Sequence, residues 1–159
     1  MVETPLKILV ASGNAKKLHE LEAVLAECAI EGVELVSLKD VAPYPEPAET
    51  GLTFAENALI KARAGAAATG LACVADDSGL AVNALNGLPG VLSARWSGSH
   101  GDDQANNDLL LAQMSDIDQR AAAFVSCCAL VVPAELSTDG KSHETTAEGR
   151  WEGTLLRQP

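Results

Sequence analysis

This sequence is poor in aromatic residues, at 3%, with two Trp, one Tyr and two Phe in 159 residues. So few ring faces do not suit a stacking platform for single-stranded nucleic acid. It is also poor in cations: 11 Lys+Arg stand against 22 Asp+Glu, a formal net charge of −11. A chain of that sign gains little from counterion release on a phosphate polymer, so a nucleic-acid binder is not expected. No apolar run reaches the ~20 residues that span a bilayer, and no membrane association is expected. The four cysteines (Cys28, Cys73, Cys127, Cys128) lack C-x-x-C spacing and lie in or beside apolar stretches. They read as buried thiols of a reducing compartment, and a cytoplasmic location follows as an expectation. His100 has no second His or Cys at zinc-ligand spacing. There is no Walker A loop and no G-x-S-x-G elbow.

What is present is 47% hydrophobic residues in a length that suits one domain, residues 1–159. The central stretch is Ala75-Asp76-Asp77-Ser78-Gly79-Leu80. Two carboxylates follow the apolar run Leu71–Val74, and unpaired buried charge is costly, so both must meet solvent, donors or a cation. One reading is a strand Leu71–Ala75 delivering the acids to a ligand crevice at its carboxyl end, with Leu80–Val82 as an antiparallel continuation. The other is an Asp/Ser/Gly surface turn.

Elsewhere the pattern alternates strand and helix. Leu6–Ala11 reads as a strand broken by Ser12-Gly13-Asn14, and a helix then starts at Ala15 with Leu18, Leu21, Leu25 and Cys28 on its apolar side. A strand, a glycine turn and a helix start make an anion-receptive corner. Lys16 and Lys17 stand in that helix's first turn, where the dipole disfavours cations, so one of them is expected to face a negative partner. The bland alternative leaves both in solvent. Val33–Leu38 reads as a second strand. Pro43, Pro45 and Pro47 then stiffen a loop that carries Glu46 and Glu49. That loop is either a solvated acidic segment or a source of metal ligands.

Thr53-Phe54-Ala55-Glu56 is a capping box for a helix that stops at Gly70. Asn57 and Lys61 lie one turn apart on it, and exposure is the default for both. Arg95 is open to an ion pair or a ligand. A helix over 104–114 capped by Asp102 or Asp103, a strand over 121–132 and a returning strand over 143–151 complete a mixed α/β domain, with 153–159 closing no element. Acids at Glu46, Glu49, Asp76 and Asp77, beside an anion cradle with Lys17, suggest a magnesium nucleotide site and metal-assisted attack of water on a phosphoanhydride.

These blocks together resemble the inosine triphosphate pyrophosphatases. The resemblance rests on Ser12-Gly13-Asn14-Ala15-Lys16-Lys17, on Glu49-Thr50-Gly51-Leu52-Thr53-Phe54-Ala55-Glu56-Asn57-Ala58 through Lys61-Ala62, and on Ala75–Leu80. Gly87–Arg95 and Gly149-Arg150-Trp151-Glu152-Gly153 follow in family order. It implies an elongated α/β domain with a long mixed central β-sheet flanked by helices, assembled as a homodimer. The implied reaction is hydrolysis of ITP, dITP and XTP to the monophosphate and pyrophosphate with Mg²⁺. By motif, Ser12, Gly13, Asn14, Ala15, Lys16 and Lys17 contact the phosphates, with Lys61 a second cation and Ser78 touching substrate. Glu49 and Asp77 hold the metal, Asp77 is also the general base, and Asp76 orients metal waters. The family's Gly-Phe-Gly-Tyr-Asp-Pro and Ser-His-Arg blocks, which grip the base, are missing before Pro159. A C-terminally incomplete domain is therefore expected, and a nucleotide-binding fragment without turnover is the alternative.

Overall fold

The computed structural model describes residues 4–159. Among them, five strands form one mixed sheet in the order β2-β1-β3-β4-β5. In chain order the elements are β1 (Leu6–Val10), α1 (Ala15–Glu27), β2 (Val33–Ser37), α2 (Phe54–Thr69), β3 (Ala72–Val82), α3 (Asp103–Gln113), β4 (Ala121–Val132) and β5 (His143–Thr154), with short 3₁₀ turns between. β1 pairs in parallel with both β2 and β3. β3–β4 and β4–β5 are antiparallel. The expected mixed sheet with flanking helices is what the chain forms.

α2 begins where its capping box places it. The Thr53 hydroxyl accepts from the Glu56 N–H at 3.1 Å, and the Glu56 carboxylate accepts from the Thr53 N–H at 3.2 Å. It ends at Gly70, whose φ of 70° is open to glycine without strain. Its alanines let it lie close on the sheet. Ala58, Ala62 and Ala66 pack with Leu9, Cys73, Ala75, Ala129 and Val131 to form one core. A second core, Val82, Leu110, Met114 and Ala122, sits under α3. β5 is exposed along its whole length, and its charged residues Glu144, Glu148, Arg150 and Glu152 suit that position.

Several expectations are corrected. Neither a strand end nor a turn occurs at the Asp pair: β3 runs unbroken through Asp76, Asp77, Ser78 and Gly79. The reason is non-local. β4 pairs with β3 residue for residue from Cys73↔Val131 to Val82↔Ala122, so the acids stay within a ladder. Leu80–Val82 is therefore the same strand and no separate continuation. Of the thiols, Cys73 and Cys127 are buried, whereas Cys28 and Cys128 are exposed. Residues 153–159 do not hang free either. β5 reaches Thr154, and the Arg120 guanidinium donates to the carbonyls of Leu155 at 2.9 Å and Leu156 at 2.8 Å. Arg157 donates to Asp118 at 2.7 Å.

Candidate active site

The site forms where β1 stops and β3 continues. The β1–β3 pairing ends at Val10↔Val74, so beyond that level β3 has no β1 neighbour. The chain after β1 turns across this gap, with Ala11 donating to the Val74 carbonyl at 2.9 Å. A crevice outside the carboxyl end of a parallel strand is where α/β sheets bind ligands.

Successive residues of a strand point to opposite faces, so the adjacent acids are served by different helices. Asp76 lies on the α1 face and pairs with Lys17. Asp77 lies on the α2 face, buried at 9% exposure. There Asn57 Nδ2 donates to Asp77 Oδ2 at 3.1 Å, and Lys61 Nζ stands 3.7 Å from Oδ1. Lys61 also binds Glu49 Oε1 at 2.9 Å, drawing the proline-rich loop onto the strand. Arg95 makes a long 3.4 Å contact to the Glu49 carbonyl and steadies the same loop.

Burial pushes the Asp77 carboxyl above its ordinary 3.8, and Glu49 pushes the same way. The Asn57 hydrogen bond and the Lys61 charge act against that rise and favour the ionised form. A buried carboxyl with a raised pKa, on an open edge beside a cation, is suited to accept a proton.

The turn residues divide between structure and site. Ser12 Oγ accepts from the Asn14 N–H at 3.2 Å, and Asn14 Oδ1 caps α1 by accepting from the Lys16 N–H at 3.0 Å. Ala15 is the first residue of α1. Gly13 and Lys61 line one cleft of about 370 Å³ together with Glu46 and Tyr44. Lys17, Asp76 and the exposed Ser78 line a wider concavity of about 880 Å³ on the other face, with Ser126 and Arg150. Of the two first-turn lysines, Lys17 has the negative partner, an acid of the protein itself. Lys16 stays in solvent, 3.7 Å from Glu20.

The structure thus brings together Glu49, Lys61 and Asp77 on one face and Lys17, Asp76 and Ser78 on the other, around one free strand edge. It does not gather all four acids into one cluster: Glu46 lines the Gly13–Lys61 cleft, and Asp76 faces away from Asp77. Sequence reasoning expected Asn57 and Lys61 to be exposed. Asn57 is fully buried, and the Lys61 side chain is 17% exposed. No local residue pattern marks Asn57 for burial; the packing of α2 on the sheet through Ala58, Ala62 and Ala66 encloses it. Ser126 was not singled out, and its place as one polar residue in the run 121–132 was the available sign.

Does this donor set fit a metal? Two ammonium groups here face three carboxylates, so a triphosphate meets net negative charge unless a cation joins it. No group of three or more His, Cys, Asp and Glu side chains forms a cage among the described residues. Glu49 and Asp77, both held against Lys61, are the donor type of a hard ion that takes one or two carboxylates and completes its shell with water and substrate phosphates. The residues fit Mg²⁺ of that kind and do not fit a closed structural metal site. Burial raises the Cys73 thiol to about 12, which keeps it protonated at neutral pH.

Fold and site together define a nucleotide-processing α/β protein of one recognised kind. The chain belongs to the Ham1 family, whose model matches residues 8–159. It is 65% identical over 156 residues to the dITP/XTP pyrophosphatase of Corynebacterium efficiens, covering 97% of this chain and 72% of that protein. It is 61% identical to the dITP/XTP pyrophosphatase of Nocardia farcinica, with 98% and 73% covered. Among solved structures, the Mycobacterium abscessus nucleoside-triphosphatase, a dITP/XTP pyrophosphatase, superposes with a TM-score of 0.83 at 62% identity, over 97% of this chain and 76% of that one. A HAM1 protein from Coxiella burnetii gives a TM-score of 0.83 at 36% identity, over 97% and 75%.

Proposed function

We propose that this protein hydrolyses non-standard purine nucleoside triphosphates (dITP, XTP and ITP) to the monophosphate and pyrophosphate, and so clears them from the nucleotide pool. The observation that carries the reading is the buried Asp77 carboxylate, held between Asn57 and Lys61 with Glu49 beside it, at an open strand edge next to the Gly13 turn.

Asp77 is the general base. It takes a proton from the attacking water through Oδ1, the oxygen that Asn57 does not hold. The water oxygen bonds to the α-phosphorus, the α–β bridging P–O bond breaks, and pyrophosphate leaves with the bond's electron pair. Lys17 and Lys61 stabilise charge growing on the phosphate oxygens, while Ser12, Gly13, Asn14 and the start of α1 around Ala15 and Lys16 receive the triphosphate. Ser78, beside Lys17 in the wider concavity, contacts substrate. Asp76 holds Lys17 in place. Glu49 and Asp77 would hold Mg²⁺, which when bound shields the triphosphate and acidifies the attacking water.

A cytoplasmic homodimer is part of the same reading. Four unpaired thiols support a reducing compartment. Phe124 and Trp151, paired across β4 and β5 and 65% and 79% exposed, support a surface that a second copy covers. No helix among the described residues is long and apolar enough to cross a membrane. The acidic charge supports a small nucleotide over a nucleic-acid polymer as partner.

A second reading is nucleotide binding without turnover, favoured by the Lys61 ammonium lying against both Glu49 and Asp77, the two carboxylates that would hold the metal. One assay separates the two: pyrophosphate release from dITP, XTP, ITP, dATP and dGTP with Mg²⁺, alongside equilibrium binding of the same nucleotides. Release from the first three supports the enzyme. Binding without release supports the alternative.

A further inference from the structure

The Asn57 side chain touches no substrate atom in that reading, yet it is fully buried in the middle of the site. It is the fourth residue of α2, and side chains there project back over the helix start. Its Oδ1 accepts from the Gly51 N–H at 2.7 Å, and its Nδ2 donates to Asp77 Oδ2 at 3.1 Å. The amide orientation follows from chemistry. A backbone N–H is always a donor, so the atom facing Gly51 must be the oxygen, and the NH₂ must face Asp77. The fit around this amide is close. A Cβ on Gly51 would lie 2.6 Å from Asn57 Oδ1 and 2.7 Å from Glu56 Cβ, so the loop can approach only as glycine.

One amide thus ties two separate pieces of backbone. Gly51 is two residues from Glu49, at the end of the proline-rich loop, and Asp77 is on β3. We infer that Asn57 is a positioning residue: it binds Asp77 Oδ2, turns Oδ1 toward Lys61 and Glu49, and sets the gap between the Glu49 loop and the strand. Without it the carboxylate can rotate, and the loop loses the tie at Gly51, one of several that hold it to α2. The inference rests on the proposed hydrolysis for its catalytic meaning, whereas its geometry stands apart from that reading.

Two variants remove different parts of the tie. Asn57→Ala removes both hydrogen bonds. Asn57→Asp keeps the acceptor for Gly51 and the volume but sets a carboxylate against Asp77. For folded variants, verified by circular dichroism and thermal melts, each is expected to lose about 100-fold in kcat, the scale of an ångström-level misplacement. KM is expected to move by less than about threefold, because Asn57 does not touch the phosphate cations. A kcat within about threefold of wild type in both folded variants overturns the inference. A merely structural role would lower the melting temperature and leave kcat per folded molecule intact.

If the wild-type chain releases no pyrophosphate, or neither variant folds, the inference is decided on the wild-type and Asp77→Asn proteins by ¹H–¹⁵N spectroscopy of the Asn57 side-chain amide. Slow exchange with water, and a shift of that amide in Asp77→Asn, support the tie. Free exchange and no shift overturn it, whether or not the wild-type chain turns over.

Discussion

Asp76 and Asp77 are consecutive on β3 and serve opposite faces of the sheet, one paired with Lys17 on α1 and the other held by Asn57 and Lys61 on α2. Strand geometry imposes this split, and it gives each acid its own cation. Because β1 ends at the level of Val74, both acids border the same open edge. In the proposed function, a polyanion entering there would meet Lys17 from one side and Lys61 from the other.

Replacing Asp77 separates chemistry from stability. Asp77→Asn is expected to lose about 10²- to 10⁴-fold in kcat, the range attributed to a general base. It should fold at least as stably as wild type. Burial raises the folded pKa above the ordinary 3.8, so the folded state holds its proton more tightly than the unfolded chain. The contribution of this group is therefore most favourable below 3.8 and declines as pH rises through the raised folded value. At neutral pH the ionised carboxylate is a cost that asparagine lacks. Melting temperatures of metal-free wild type and Asp77→Asn, compared from acid to neutral pH, should diverge in favour of the variant as pH rises above 3.8. A variant that loses ground as pH rises would contradict this.

The capping box of α2, the glycine stop at Gly70 and the strand 121–132 were legible in the sequence because each is written locally, in side-chain chemistry or apolar pattern. The course of β3 was not. Whether Asp-Asp-Ser-Gly bends or stays extended depends on β4, whose pairing residues lie some fifty positions downstream, as in Asp77↔Cys127. Local residue types left a strand end and a turn equally open, and the ladder excluded both. The burial of Asn57 was equally hidden, since an exposed polar residue and one enclosed by packing carry the same letter. The pairing of Lys17 was half legible: the helix dipole required a negative partner, but the strand's alternation decided that it was Asp76.

Lys17→Ala tests the cation on the α1 face. Charge-assisted contacts to phosphate oxygens contribute more than neutral ones, and loss of this one should lower kcat/KM by about 10- to 100-fold, mainly through KM. It also leaves Asp76 without its partner, adding repulsion toward the triphosphate. Steady-state kinetics with dITP and XTP check this, and an unchanged kcat/KM would remove Lys17 from the site.

Gly51→Ala probes the close approach at the loop. The added methyl would meet Asn57 Oδ1 and Glu56 Cβ at 2.6 and 2.7 Å, so the loop must move off the helix. A cost of about 1–3 kcal/mol in stability is expected from such overpacking. Chemical denaturation measures it, and a loss under ~0.5 kcal/mol would show that the loop has slack there.

Arg63 and Glu144 join α2 to the edge strand by two hydrogen bonds of 2.8 and 2.6 Å. The Arg63 hydrogen bond holds the Glu144 carboxyl below its ordinary 4.5. A depressed acid stabilises the fold above 4.5, and that stabilisation fades as pH falls through the folded value. Both side chains are substantially exposed, so Arg63→Ala should cost no more than about 1 kcal/mol at neutral pH and less in acid. Urea melts at two pH values read this directly, and a larger cost in acid would contradict it.

The central claim is that Asp77, at this strand edge, drives hydrolysis of non-standard purine triphosphates with Mg²⁺. Its most direct test is pyrophosphate release from dITP and Mg²⁺ by the wild-type chain and Asp77→Asn side by side. The account predicts release by wild type, little from the variant, and loss of wild-type activity when the metal is chelated. Equal release by both proteins, or release that persists in chelator, would contradict it.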